Sequence, residues 1–403
     1  MSKSNETTPN VPTLRFAEYT DEWHKYALSD FVTRITRRNK NNESSLPLTI
    51  SAQYGLVDQI IFFNKTVASV DLSGYYLLYN GDFAYNKSYS NDYAWGAVKR
   101  LDKYEKGCLS SLYFVFRPTD KVDSDYLTHY FETSKWHKGI SDIAGEGARN
   151  HGLLNMAVDD YFATKHYLPS LSEQKKIACF LNLITKRIEI QNKIISDLKV
   201  LKKELCNKLF NSSHCDKTIE IRQVADIHGG YAFNSKAYIN DGKYKIVTIG
   251  NVTGDKYISG DYNRIDILPD NIQEQQILNN GDILISLTGN VGRISIVDGD
   301  NYLLNQRVAK LNVKNNLIKA YIYQYLSNSS FEKDMSNAGQ GAAQKNIKNE
   351  DILSYNIRIP TSQTYLEKID GLLSTYDKLI ANEERFLLNL NIQKSFLLNA
   401  MFI

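Results

Sequence analysis

The sequence predicts an α+β protein built by tandem duplication. Two globular strand-rich units are each followed by a long helix, and the two helices pair as an antiparallel coiled coil with pseudo-two-fold symmetry. Three observations predict this. The hydrophobic period changes from strand-like to helical after Pro169 and again after Pro360. The segment after Pro169 runs to Phe210 without glycine or proline. The second half of the chain repeats the first at a nearly constant offset.

The elements follow in chain order. Residues 1–12 are polar, contain Pro9 and Pro12, and read as a loose tail. Between about residues 28 and 120, short apolar runs alternate with Gly, Asn and Asp. Leu48–Ile50, Gln59–Phe63, Tyr75–Tyr79 and Leu112–Phe116 read as strands. A helix is predicted over Ser124–Lys138 with Ser124 as its cap, then a glycine turn, then a strand ending at Leu168-Pro169. The second half offers strands from Ile219 to Val313, a helix over Ile318–Met335, a glycine turn, and a strand ending at Ile359-Pro360.

Each long helix carries an apolar seam. On the first it includes Ile177, Leu181, Ile184, Ile188, Ile195, Leu198, Leu205 and Leu209, with Gln191 and Lys202 filling the two gaps. On the second it includes Ile369, Leu373, Tyr376, Ile380, Leu387, Leu390 and Leu397. About 37 residues at about 1.5 Å each give roughly 55 Å, longer than most single-domain cores require.

The repeat holds residue by residue. Gly81-Asp82 answers Gly281-Asp282, Ala144–Ala148 answers Ala338–Ala342, and Leu168-Pro169 answers Ile359-Pro360. Ile177, Leu181, Ile188, Leu198, Leu205 and Phe210 match Ile369, Leu373, Ile380, Leu390, Leu397 and Phe402 at an offset of 192. The expected organisation is a tail over 1–21, globular units over 22–170 and 213–360, and helices over 171–212 and 361–403. An apolar seam needs cover, and the nearest cover for each helix is the other.

Composition narrows the class. The 403 residues allow two to four domains at roughly 100–200 residues each. With 48 basic and 45 acidic residues the net charge is +3, which excludes a histone-like polycation. Tyrosine is frequent, at 27. Cys108, Cys179, Cys206 and Cys215 form no C-x-x-C pair and suggest no disulfide framework. No apolar run of about 18 residues is present, so no membrane span is expected. The first ten residues lack the apolar core of a signal peptide, and a cytoplasmic setting is expected.

A search for catalytic chemistry returns little. There is no G-x-x-x-x-G-K-[ST] loop and no H-E-x-x-H motif. Cys206, His214 and Cys215 lack a fourth zinc ligand. The one Pro-Asp dipeptide, Pro269-Asp270, is not followed at nuclease spacing by an acid two before a lysine. No catalytic residue and no metal site are expected. The turns Gly145-Glu-Gly147 and Gly339-Gln-Gly341 are either phosphate-cradling nests or plain turns.

What remains fits contact with nucleic acid. Arg34, Arg37, Arg38 and Lys40 lie in a stretch without an acid, which is either a contact surface or a solvated one. The second unit offers GGYAFNSKAY (229–238), LTGNVGR (287–293), LNQRVAKL (304–311) and GAAQKNIKNEDI (341–352). Asn, Gln, Arg and Lys read base edges and hold phosphates.

These segments also carry a resemblance. PTLRF-x6-W (12–23), GYAF-x-S-K-x-Y, IVTIGNV, GDILISLTGNVGRI and LNQRV resemble the DNA-specificity (S) subunit of Type I restriction-modification enzymes. Leu168-Pro-Ser-Leu-Ser-Glu-Gln174 resembles that family's junction between recognition domain and spacer helix; Ile359-Pro-Thr-Ser-Gln363 departs from it after the proline. The first unit fits a different subtype, with LPLTISAQYGLVDQ (46–59), GDFAYNKSYS (81–90) and YAWGAVKRL (93–101).

The resemblance implies that each globular unit is a target-recognition domain docking in the major groove of double-stranded DNA. Each would read one half of a split, asymmetric site, with the helices setting the gap. It implies two modification (M) subunits that bind S-adenosylmethionine and methylate adenine. It also implies two restriction (R) subunits that use ATP and magnesium. The S chain itself would bind no cofactor and catalyse nothing. The candidate DNA-contacting residues are Arg37, Arg38, Gln53, Tyr54, Asn86 and Lys87 in the first unit. In the second they are Tyr231, Phe233, Lys236, Asn290, Arg293, Gln306, Arg307, Gln344 and Lys345. A helix of about 55 Å spans about 16 base pairs, so both units can reach one duplex.

Two other classes stay open on the residues alone: a scaffold that uses the helices for protein docking without DNA, and a stand-alone enzyme such as a nuclease. Residues 173–209 hold nine Lys/Arg against four Asp/Glu, and 363–403 hold four against five. That contrast either favours pairing of the two helices or leaves surplus lysines for solvent or DNA.

Overall fold

The computed structural model describes residues 10–88, 93–144, 153–339 and 345–403. The chain divides into two compact units, Met1–Gln191 with Phe386–Ile403, and Asn192–Arg385. The division falls within both long helices, so each unit contains one strand-rich domain and part of each helix.

In the first unit a four-stranded antiparallel sheet has the order Val32–Arg34, Phe114–Pro118, Phe83–Asn86, Ala97–Arg100. His24–Ala27 pairs with Lys165–Leu168 and closes the domain at its junction with the helix. Two further hairpin-like pairs, Leu48–Ser51 with Gly55–Asp58 and Tyr76–Tyr79 with Lys106–Leu109, cover a smaller core around Ile50, Leu78 and Leu109. The main core is aromatic: Tyr85 stacks on Tyr161 at 4.8 Å, and Phe83 on Phe116 at 5.5 Å.

The second unit repeats the sheet. Its order is Ala225–Gly229, Val308–Val313, Ile283–Ser286, Ile294–Ile296, again antiparallel. Lys217–Glu220 pairs with Asn356–Ile359 as the junction strands. A second four-stranded sheet has the order Asn263–Ile265, Tyr244–Val247, Tyr302–Leu304, Ile277–Leu278, with its central pair parallel.

The long helices span Leu171–Phe210 and Gln363–Ala400. Within the first unit, Ile177, Ala178 and Leu181 share a core with Leu397, Met401 and Phe402, while Arg187 covers the ring of Phe386. Within the second unit, Cys206 and Phe210 share a core with Leu366, Ile369 and Leu373, and Lys199 pairs with Glu384. In both units residue numbers rise along one helix as they fall along the other, so the helices pair antiparallel. Of the seam residues, Ile177, Leu181, Ile369, Leu373, Ile380, Leu390 and Leu397 are buried. Ile184, Ile188, Leu198, Leu205 and Tyr376 are half-buried. The polar seam position Lys202 pairs with Asp377 at 2.5 Å, and Gln324 donates to the same carboxylate at 2.7 Å.

Four local expectations are corrected. Gln59–Phe63 is a helical turn rather than a strand, because Asp58 caps it by accepting from the Ile60 and Ile61 amides. The helix expected over 124–138 is two helices, Ser124–Tyr130 and His137–Ile143, and its cap is Asp123, one residue before Ser124. The helix expected over 318–335 is likewise two, Asn316–Leu326 and Ser329–Ala338. Residues 10–12, expected to belong to a loose tail, are tied down where described, the Asn10 carbonyl accepting from the Trp23 amide at 2.9 Å. The Leu14 amide donates to the Ala400 carbonyl at 2.9 Å, serving an orphan acceptor at the C-terminal end of the second helix. Arg15 makes a forked pair with the buried Glu173 at 2.7 and 2.8 Å.

Candidate nucleic-acid interface

The two antiparallel four-stranded sheets share one repeated turn, just before the strands Phe83–Asn86 and Ile283–Ser286. Gly81 and Gly281 take φ of +87° and +85°, open only to glycine without strain. The following Asp82 and Asp282 accept the amides of Tyr79 and Asn279 at 2.8 and 2.9 Å. Each carboxylate also binds cations: Arg37 at 2.9 Å and Arg117 at 2.6 Å on Asp82, and Lys310 at 2.7 Å on Asp282. Arg37 also covers the Tyr79 ring at 4.1 Å. Its guanidinium therefore braces the fully buried Asp82 while remaining about one-third exposed.

In the second unit the nominated segments come together. Gly230 lies so close to Asn305 that a Cβ would fall 2.1 Å from the Asn305 carbonyl oxygen, which accounts for the glycine immediately before Tyr231. Gln306 donates its amide to the Tyr231 carbonyl at 3.0 Å, and Leu287 donates to the Arg307 carbonyl at 3.0 Å. Ile347 donates to Leu287 and Gly289 to Lys345, both at 3.0 Å. Four separate sequence segments thus form one hydrogen-bonded strip. It carries Gln306, Arg307, Asn290 and Lys345, all exposed.

Tyr231 and Phe233 meet edge to face at 4.9 Å, and the Tyr231 hydroxyl donates to Asn271 at 2.8 Å. Lys236 is exposed on the turn after them. Arg293 leaves the strip and pairs with Glu332 at 3.1 Å. Gln344 lies outside the described residues, as do Gly145–Gly147 and Gly341.

In the first unit the nominated residues stay in three separate pairs. Arg38 covers the Tyr76 ring at 4.6 Å and donates to the Gly74 carbonyl. Gln53 and Tyr54 occupy the exposed tip of the 48–58 hairpin, where Tyr54 meets Phe62 edge to face at 6.4 Å. Asn86 and Lys87 end a sheet strand, and Leu154 donates to the Lys87 carbonyl at 3.0 Å. Burial lowers the Lys87 ammonium from its usual range, and the group sits 4.7 Å from the Phe114 ring.

Sequence reasoning missed Arg117 and Lys333. Arg117 braces Asp82 across 35 positions, and Lys333 lies on the helix beside the strip. Neither stands in a local motif, so no signal in the sequence singled them out. Among the described residues no group of three or more His, Cys, Asp or Glu is placed to hold a metal. His214 stacks on Tyr365 at 4.6 Å, and the Cys215 thiol donates to the Leu209 carbonyl.

Residues 217–391, which include the whole strip, match the family described as the Type I restriction modification DNA specificity domain. The second half of the chain is thus similar to that specificity domain. The chain is 25% identical over 302 residues to the Type I restriction enzyme MjaVIII specificity subunit of Methanocaldococcus jannaschii, covering 67% of this chain and 69% of that one. Two solved structures share the fold of this chain. One is the Type I restriction-modification S subunit from M. genitalium, with TM-score 0.54, 16% identity, and 98% and 99% of the two chains covered. The other comes from work on complex assembly and conformational transition of the Type I R-M system, with TM-score 0.56, 16% identity, and 94% and 96% covered. No helix among the described residues is long and apolar enough to cross a membrane.

Proposed function

We propose that this chain is the sequence-reading subunit of a Type I restriction-modification complex, with residues 22–170 and 213–360 as its two target-recognition domains. Each domain reads one half of a bipartite asymmetric site on double-stranded DNA. The observation that carries the reading is the strip in the second unit. It joins exposed Asn, Gln, Arg and Lys side chains, the residue types that read bases, on segments tied together through Tyr231, Leu287 and Gly289.

The chain supplies selectivity and no chemistry of its own. Two modification subunits provide methylation with S-adenosylmethionine, and two restriction subunits provide ATP- and magnesium-dependent cleavage, in the cytoplasm. The helices carry apolar side chains left exposed after pairing. Leu183, Ile190, Phe386, Ile392 and Phe396 are exposed in the first unit, and Ile194, Leu201, Leu372 and Leu379 in the second. These exposed apolar side chains suit contact with the modification subunits.

Exchange of residues 22–168 for another first unit tests modular reading. The account expects a change in one half of the recognised site alone; a change in both halves refutes it. The scaffold reading predicts no sequence-dependent binding at all in the presence of the modification subunits.

A further inference from the structure

A groove of about 410 Å³ runs beside the strip, between the turn Gly289–Val291 and the helix Ser329–Ala338. Lys345 belongs to both: its carbonyl accepts from Gly289 in the strip, and its ammonium reaches the Ser336 hydroxyl at 2.5 Å in the groove. Lys333 is exposed on the opposite wall. Among the described residues neither lysine forms an ion pair. Ser329 and Ser336 add hydroxyl donors. The single acid in the lining, Glu332, is engaged with Arg293 at 3.1 Å, and both partners are partly exposed at 33% and 45%.

We infer that this groove holds backbone phosphate of the duplex whose bases the strip reads, with Lys333 and Lys345 as its cations and Glu332 as an internal competitor. The inference rests on the DNA-reading proposal above and divides its labour. Unpaired lysines beside hydroxyl donors suit phosphate oxygens, which carry no sequence information, while Gln306 and Arg307 present forked groups suited to base edges. Glu332 keeps Arg293 from contributing to indiscriminate binding. An exposed ion pair of this kind adds little stability, so removing the Glu332 charge frees Arg293 at little cost to the fold. The competitor therefore lowers affinity for all DNA and leaves discrimination intact.

The test uses the full chain assembled with its modification subunits and a mixed-sequence duplex, titrated at several salt concentrations. Replacing both Lys333 and Lys345 by Ala is expected to weaken binding about tenfold and to lower the slope of log affinity against log salt by about 1.8, at roughly 0.9 per lost phosphate contact. Lys333→Arg with Lys345→Arg restores the slope, which loss of folding would not allow. Glu332→Gln is expected to strengthen binding to the mixed duplex about threefold, a gain that misfolding cannot produce. An unchanged slope in the double Ala variant overturns the proposal, as does weaker binding in Glu332→Gln. The two readings fail separately. If Arg307→Ala still relaxes sequence preference while the lysine variants leave the slope untouched, the phosphate groove is wrong and the strip stands. If the slope drops while Arg307→Ala leaves preference unchanged, base reading by the strip is wrong.

Discussion

The ring of Phe402 lies 5.2 Å from that of Tyr126 and 6.0 Å from that of Tyr130. Its repeat equivalent, Phe210, lies 5.5 Å from Tyr321 and 4.8 Å from Tyr325. In each unit the end of one long helix plugs a pair of tyrosines four residues apart. The first unit is therefore completed by residues from the far end of the chain. Phe402→Ala is expected to cost about 3–5 kcal/mol in the first unit, and Phe210→Ala a similar amount in the second. Amide hydrogen exchange resolves the two: protection falls in residues 124–131 for the first variant and in 316–326 for the second. Equal loss in both units from one variant would contradict this assignment.

The pair Lys202–Asp377 fills a polar gap in the helix seam, with side chains 16% and 8% exposed. Removing one partner strands a charge. Asp377→Ala is expected to destabilise the second unit by about 3–5 kcal/mol, whereas replacing Lys202, Asp377 and Gln324 together by Met, Leu and Leu is expected to be close to neutral. Denaturation monitored by exchange in that unit checks both values.

His166 is buried between the Tyr130 hydroxyl and the Thr164 hydroxyl, each at 2.8 Å. Burial pushes its imidazole down to about 4. As pH falls below about 6.5 the unfolded chain takes up a proton that the folded chain refuses, so stability declines until about pH 4. The loss across that window is about 3 kcal/mol, and His166→Gln is expected to remove most of it. Glu132 acts lower on the scale. Burial alone would raise its carboxyl, but the His129 hydrogen bond and the Lys394 charge hold it at about 2. Its contribution is full above about pH 4.5 and is lost as pH falls toward about 2. Thermal melting between pH 7 and pH 4 separates the two groups, because only the histidine titrates in the upper part of that range.

The long helices were legible because their spacing of three and four survives any tertiary context, and because Pro169 and Pro360 mark where they begin. The duplication was legible for the same reason, through pairs such as Asp82 and Asp282. The short apolar run Gln59–Phe63 was not, since five apolar or amide residues fit a strand as well as a helical turn. The Asp58 cap decided it. Arg37 and Arg293 looked like free cations because their partners Asp82 and Glu332 lie 45 and 39 positions away, beyond any local window. The tyrosine excess is partly a core property: Tyr85, Tyr126, Tyr130, Tyr161 and Tyr321 are all fully buried. The strip in the second unit was legible as four separate clusters, and backbone hydrogen bonds join them.

Arg307 and Gln306 stand exposed on the strip with their backbones fixed by Leu287 and Tyr231. Arg307→Ala is expected to cost about 1–3 kcal/mol of discrimination at one base position, if its fork reads a base edge, and Gln306→Ala a comparable amount at a neighbouring one. Competition binding against single-base variants of the site measures this. A loss equal across all sequences would place Arg307 on phosphate instead.

The most direct test of the whole account is a genome-wide map of methylated bases in cells expressing this chain with its modification subunits, alongside cells expressing the Arg307→Ala variant. The account predicts one motif of two short elements separated by an unread gap, with the variant relaxed in one element alone. A single uninterrupted motif, relaxation in both elements, or methylation without any motif would contradict it.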